Sequence, residues 1–286
     1  MPFPYTINPY RGCEFGCKYC YARYTHEFME LRESLEFERK IYAKSFHKPL
    51  FRAELSAIPR ASHIAIGTAT DPYQPAERRF RITRQILEVF GSQEGRKISI
   101  TTKSDLVARD IDVLKTIART NVVFVNMTVT TLDPNLARLL EPMAPVPTLR
   151  IEAVRTLAAA GIQTGVFCHP VMPAINDGTT SLEAIAAAAS GAGAHHFSAA
   201  PVFLKPCAQQ VFLPFLEESF PQLAERYRER FSRNAFLRGA FVDDLRERVQ
   251  AVREKYGLEK GPVDYEPEEW EGEPQLTLFP LAPEGA

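Results

Sequence analysis

Between Tyr5 and about Ala200, short runs rich in β-branched residues alternate with longer amphipathic segments. This is the rhythm of repeated strand–helix units that build a parallel sheet. Six runs read as strands: Tyr5–Pro9, His63–Gly67, Lys97–Thr101, Val122–Thr130, Gln163–Pro170 and Ala194–Ala200. Helical patterns lie between them at Arg79–Phe90, Asp105–Arg119, Thr148–Ala160, which Gly161 stops, and Ser181–Ser190, opened by a capping box of Thr180 and Glu183. Six such units are too few to close an eight-stranded barrel. They predict an α/β fold, an open partial (β/α)6 barrel with its site at the carboxyl ends of the strands. Polar residues gather on that rim: Thr70 and Asp71 after the second strand, Lys103 and Ser104 after the third, Thr130 and Asp133 after the fourth, and His169 on the fifth.

After Pro201 the pattern changes. Phe203, Phe212, Leu213 and Phe215 lead into a charged helix from about Leu216 to Arg230, and a further helix is expected over Val242–Tyr256. From Gly261 onward the chain is acidic and proline-rich, the composition of an extended tail. The predicted division is a barrel over 1–233, a helical extension over 234–260 and a tail over 261–286.

Composition narrows the function classes. With 34 Lys and Arg against 35 Asp and Glu, the formal charge of −1 gives no global field that draws the chain onto a polyanion, so such a partner requires a local basic patch. No apolar run reaches the roughly 20 residues that cross a bilayer, and no charged start with an apolar stretch opens the chain. A cytoplasmic protein without a membrane partner is expected. Five cysteines, three of them within eight positions, make a poor disulfide framework and a good metal or redox site.

Those three stand in Arg11-Gly-Cys-Glu-Phe-Gly-Cys-Lys-Tyr-Cys-Tyr21, where Cys13, Cys17 and Cys20 are spaced C-x3-C-x2-C. A compact loop of this length can turn all three sulfurs onto one soft metal centre, and thiolates select zinc, copper(I) or an iron–sulfur cluster. Structural zinc asks for four ligands, and no second cysteine pair or H-x3-5-H element lies nearby, although Cys168 or His169 could complete a zinc site from a distant strand. Three thiolates suit a [4Fe-4S] cubane with one iron open.

The spacing, with the aromatic Tyr19 just before the last cysteine, resembles the radical S-adenosylmethionine superfamily. Gly67–Arg79 (GTATDPYQPAERR), Thr101–Ser104 (TTKS), Leu140–Pro145 (LEPMAP) and His169–Asp177 (HPVMPAIND) resemble the branch related to spore photoproduct lyase. The resemblance implies a [4Fe-4S] cluster, S-adenosyl-L-methionine bound at the open iron, an external one-electron reductant, and a 5′-deoxyadenosyl radical as the reactive product. It places the Thr70 and Asp71 region at the methionine amino group, Lys103 at the carboxylate, and Thr128 or Thr130 at the ribose hydroxyls. Tyr19 and Tyr21 match the two tyrosines that flank the last cluster cysteine in that branch. Its hydrogen-donor cysteine after the second strand has no counterpart, since no thiol stands between Cys20 and Cys168. Cys168 and Cys207 are the replacement candidates.

Two further features bear on partners. Arg78, Arg79, Arg81 and Arg84, and Arg226, Arg228, Arg230 and Arg233, form two basic stripes, each interleaved with acidic residues. In the tail, Gln275, Leu276, Leu278 and Phe279 resemble the short peptide with which bacterial repair proteins dock on the sliding clamp; a terminal hook covering the domain's own apolar surface is the competing reading. The expected function is radical chemistry on a nucleic-acid base or similar planar substrate, with DNA repair as its setting. The alternatives are a zinc-stabilised adaptor, or radical modification of a peptide or small metabolite.

Overall fold

In the computed structural model, which describes residues 4–31 and 33–261, six parallel strands form one sheet in unbroken chain order. These are β1 (Tyr5–Ile7), β2 (His63–Ile66), β3 (Lys97–Thr102), β4 (Val122–Thr128), β5 (Gln163–Val171) and β6 (His196–Pro201). Each strand pairs in parallel with the next, in registers such as Ile64 with Ile98 and Ile98 with Val123. Because the order never reverses, all crossovers turn the same way and the sheet curls into the open partial barrel that six units predict.

Period-2 alternation sorts the strand side chains. Ile64, Ile66, Ile98, Ile100, Val123, Val125, Met127, Val166 and Cys168 point outward into a dry core with the helices. Those helices are α1 (Lys48–Ser56), α2 (Ala76–Phe80), α3 (Ile82–Phe90), α4 (Ile111–Thr120), α5 (Pro134–Leu140), α6 (Pro147–Ala159) and α7 (Thr179–Gly191). In α3, Ile82, Ile86, Leu87, Val89 and Phe90 are buried, the stripe a helix lays on a sheet. The alternate strand positions face the barrel interior and are polar or aromatic: Ser99, Asn126, Thr128, Phe167, His169, His196 and Ser198.

Four helical elements differ from the sequence reading. The helix expected over Asp105–Arg119 opens as a 3-10 turn, Asp105–Asp110, before α4 begins at Ile111. The helix expected over Arg79–Phe90 is broken at Arg81, which adopts the left-handed conformation (φ 52°). The fully buried Glu77 explains the break: its carboxylate accepts the backbone N–H groups of Thr83 (2.9 Å) and Arg84 (3.2 Å) and so caps α3. The helix expected from Leu216 is two helices, α8 (Pro206–Ser219) and α9 (Pro221–Phe231), each opening on a proline at its start. The capping box does not form. Helix α7 starts at Thr179 behind Gly178 with no side-chain cap, and Glu183 instead pairs with Lys255 at 3.1 Å.

The last helix, α10 (Ala240–Tyr256), lays Leu245, Val249 and Val252 into the barrel core. Behind it, the Phe197 N–H of β6 donates to the Leu258 carbonyl at 3.2 Å. Helix α10 and Leu258 therefore pack against the barrel's core. Among the described residues no helix is long and apolar enough to cross a membrane. Gln275, Leu276, Leu278 and Phe279 lie outside the described residues.

Candidate active site

The cysteine loop leaves a two-stranded ribbon, Tyr10–Arg11 against Tyr42–Ala43, and closes on a short 3-10 turn at Tyr21–Arg23. Gly12 opens it at φ +80°, and a Cβ there would stand 2.7 Å from the carbonyl oxygens of Phe37 and Lys40, so only glycine fits. From there the loop is held on every side. Cys13 N–H donates to the Phe37 carbonyl (3.0 Å), Lys18 N–H to Leu140 (2.9 Å) and Cys20 N–H to Cys17 (3.2 Å). The buried Arg23 guanidinium reaches the Cys17 carbonyl at 2.9 Å and pairs with Glu38.

The segment after β2 forms the second brace. Thr70 donates its hydroxyl to the Gly12 carbonyl (2.5 Å), Gln74 donates to the same oxygen (3.1 Å) and accepts from Glu14 N–H (3.0 Å), and the Glu14 carboxylate accepts from Ala76 N–H (2.6 Å). Asp71 is satisfied by protein as well: one oxygen accepts from Tyr73 N–H (2.9 Å) and the Thr102 hydroxyl (2.7 Å), the other from Lys103 N–H (2.7 Å). Burial raises the Asp71 carboxyl above its ordinary range against the pull of these bonds. Thr70 and Asp71, expected at the methionine amino group, thus spend their side chains on fixing the cysteine loop and the end of β3.

A cavity of about 650 Å³ opens at the carboxyl ends of the strands, lined by Cys13, Cys17 and Cys20 together with Tyr19, Tyr21, Thr70, Asp71, Lys103, Thr128 and His169. Nine of the candidate residues therefore share one wall system with His169. Thr130 and Cys168 stand behind it. The Thr130 hydroxyl donates to Glu141 at 2.6 Å and lies 3.2 Å from the Tyr19 hydroxyl. Cys168, fully buried, is turned by strand alternation into the helix-side core, with its thiol toward the Thr130 carbonyl at 3.5 Å.

Electrostatics are set by one buried ion pair. Arg150 and Glu141, each 1% exposed, meet at 2.5 Å, and Arg150 also donates to the carbonyls of Pro145 (2.7 Å) and Thr128 (3.2 Å). Burial opposes ionisation of Glu141, but Arg150, Lys103 and hydrogen bonds from Thr130 and Tyr19 outweigh it and hold the carboxyl below its usual range. The Lys103 ammonium reaches into the cavity 5.7 Å from the Tyr19 ring centre. Tyr19 is anchored through its hydroxyl to Glu141, and Tyr21 through its own to the Thr68 carbonyl. His169 stacks on Phe167 with ring centres 4.6 Å apart, faces the Ser198 hydroxyl at 3.1 Å, and is pushed down to about 4 by burial, Lys103 and His196.

The donor set fits an iron–sulfur cluster. All three cysteines are free thiols, and burial raises each, Cys17 to about 12. Three thiolates spread around one cavity match a cubane that takes one thiolate on each of three irons. Several contributors escaped the sequence reading: the Gln74 and Glu14 brace, the Glu141–Arg150 pair, and an aromatic mouth of Phe203 and Phe236 with Lys205. Glu141 and Gln74 stand inside segments singled out from the sequence, but their partners lie far away along the chain.

A parallel partial barrel with a three-cysteine loop over its carboxyl rim defines a class of enzymes built around an iron–sulfur centre. The family model of the radical SAM superfamily matches residues 7–182. The chain belongs to that superfamily, whose members use a [4Fe-4S] cluster and S-adenosylmethionine, and it is an enzyme. It is 33% identical over 282 residues to an uncharacterized protein of Mycobacterium tuberculosis, covering 98% of this chain and 83% of that one. It is 29% identical over 256 residues to an uncharacterized protein of Methanocaldococcus jannaschii, covering 88% and 86%. A spore photoproduct lyase variant with bound AdoMet and dinucleoside spore photoproduct has a similar fold, with a TM-score of 0.65 and 14% identity over 89% of this chain and 74% of that chain.

Proposed function

We propose that the chain carries out radical chemistry on a nucleobase or a similar planar group, with Cys13, Cys17 and Cys20 holding the cluster. The observation that carries this reading is the cavity itself, where three free thiols, the Lys103 ammonium and the Thr128 hydroxyl share one enclosure at the strand ends beside an aromatic mouth. When bound, the cluster and S-adenosylmethionine supply a 5′-deoxyadenosyl radical. Within the expected cofactor set, Lys103 and Thr128 present free polar groups to the cavity, so we assign Lys103 to the methionine carboxylate and Thr128 to the ribose. Thr70, Asp71 and Thr130 act one step back, as positioning residues. Tyr19 and Tyr21 stay protonated, because burial lifts both hydroxyls above their ordinary range. They are poised to relay a hydrogen atom, whereas Cys168 faces away and is a packing residue.

Of the two basic stripes, Arg84 is committed to Asp110 and Asp112, and Arg228 to Glu217 and Glu225, so neither stripe as a whole is available to a phosphate backbone. The tail peptide Gln275–Phe279 is proposed as a sliding-clamp ligand, a reading that a pull-down with the clamp checks. Substrate class is tested by anaerobic turnover of the reconstituted enzyme with undamaged DNA, ultraviolet-damaged DNA, RNA or no addition, while 5′-deoxyadenosine and altered bases are quantified by mass spectrometry. Stimulated cofactor cleavage and a modified base support the reading; a rate unmoved by any nucleic acid overturns it.

A further inference from the structure

We infer that Phe236, Phe203 and Lys205 form a specificity element at the cavity mouth, built to stack a planar ring and neutralise an anionic group attached to it, the chemistry of a nucleotide. The inference rests on the nucleobase reading above and adds the residues that select the substrate. It starts from an aromatic ladder. Tyr21 lies 4.8 Å from Phe203 between ring centres, and Phe203 lies 5.2 Å from Phe236 with their planes only 15° apart. The stack climbs from the cysteine loop, through Tyr21, to a terminal ring that is 54% exposed. An offset-stacked pair is an ordinary aromatic arrangement, and one that ends in an open face leaves room for one more flat ring.

The ladder is held rigidly. Phe203 and Phe236 pair as an antiparallel bridge between two otherwise separate segments, and Leu204 N–H donates to the Ala235 carbonyl at 2.8 Å. All three rings line the same cavity as the cysteines, so a group stacked on Phe236 stays in continuity with the reactive centre.

Charge supplies the second half. Lys205 lines the mouth with its ammonium 3.7 Å from the Tyr24 ring centre, and among the described residues no carboxylate pairs with it. The loop that presents Phe236 is flanked by Arg233 and Arg238, both exposed and without an ion pair among the described residues. A phosphate brought beside Lys205 meets no competing carboxylate among the described residues. Stacking of a base on an aromatic ring is favourable and sequence-tolerant, so loss of the terminal ring should weaken binding by roughly tenfold.

The test is fluorescence anisotropy on the cluster-loaded enzyme with bound S-adenosylmethionine, using a labelled single-stranded oligonucleotide and, as competitors, a free nucleoside monophosphate and an abasic strand. Wild-type protein, Phe236→Ala, Phe236→Tyr and Lys205→Gln are compared. Phe236→Ala should weaken oligonucleotide binding about tenfold while Phe236→Tyr retains it, and Lys205→Gln should flatten the dependence of log Kd on log salt. Iron content and S-adenosylmethionine affinity should be unchanged in all three variants. Competition by the monophosphate identifies a free nucleotide as the ligand, and its failure to compete identifies a nucleic acid; either outcome keeps the inference, whereas an abasic strand that competes as well as the intact oligonucleotide overturns it. Wild-type binding that Phe236→Ala and Lys205→Gln leave unaltered overturns it and spares the nucleobase reading. No binding of any of these ligands by wild-type protein overturns both.

Discussion

At the scale of the residue, the site separates groups that face the cavity from groups that hold it. Lys103 belongs to the first kind. Lys103→Ala should weaken S-adenosylmethionine binding by about tenfold, the effect of losing one charge-assisted contact of roughly 1.5 kcal/mol, and leave iron content at the wild-type level; equilibrium dialysis and iron analysis on one preparation check both. Cys17→Ala should abolish cluster assembly outright, seen as loss of iron, acid-labile sulfide and visible absorbance. Cys168 is the control. Because its thiol points into the helix-side core, Cys168→Ala should cost about 1 kcal/mol of stability and leave 5′-deoxyadenosine formation intact. Glu141 and Arg150 hold the site from behind, and Arg150→Met strips the partner from a buried carboxylate that also anchors Tyr19. The expected loss is about 3–5 kcal/mol in denaturant unfolding.

The cysteine triad, its spacing and the rim residues Lys103 and Thr128 were legible in the sequence because chemistry and strand period both mark them. What stayed hidden is what depends on distant partners. Nothing in the order of residues shows that Thr70 is bound to Gly12, that Asp71 clasps the end of β3, or that the Thr130 hydroxyl donates to Glu141. Cys168 illustrates the point from the other side: its strand was predicted, but its direction follows from register, which places it in phase with Val166 and Met127.

At the scale of the element, strand existence was readable from apolar runs, while helix ends were not. The break at Arg81 depends on Glu77, whose carboxylate caps α3 from the preceding helix. Gly67 at the end of β2 has φ +89°, and an added Cβ would sit 2.6 Å from the Thr101 carbonyl. Gly67→Ala should therefore shift the Thr70–Asp71 brace and cut cluster retention, measured as iron per chain after desalting. Strands β5 and β6 also carry a pH signature. His169 and His196 are both pushed down to about 4, by burial first and then by neighbouring cations. An unfolded imidazole takes its proton near 6.5. Between these values the unfolded chain binds more protons, so stability rises with pH across this window and is lost on acidification from about 6.5 towards 4. Urea midpoints at pH 7 and pH 5 should show the decrease, and His196→Gln should reduce it.

At the scale of the whole molecule, an open barrel must cover its last strand, and this chain does so with α10. That helix inserts Leu245, Val249 and Val252 into the core, and its C-terminal side returns to β6 through Leu258 and a bridge between Glu259 and His196. A chain ended at residue 233 should lose solubility and cooperative unfolding, because the cut exposes both that apolar face and the edge of β6. The second core, where Phe212, Phe215, Leu216, Tyr227 and Phe231 of α8 and α9 meet Phe15, Cys17 and Tyr19, ties the cysteine loop to the C-terminal helices, so local disorder in either should reach the cluster.

The most direct measurement is anaerobic reconstitution of the full chain with iron and sulfide, reduction with dithionite, and electron paramagnetic resonance with and without S-adenosylmethionine, followed by chromatography for 5′-deoxyadenosine. A reduced [4Fe-4S] signal that shifts when S-adenosylmethionine is added, disappears in Cys17→Ala and accompanies 5′-deoxyadenosine is the predicted result. Stoichiometric zinc, with neither the signal nor the nucleoside, would contradict it.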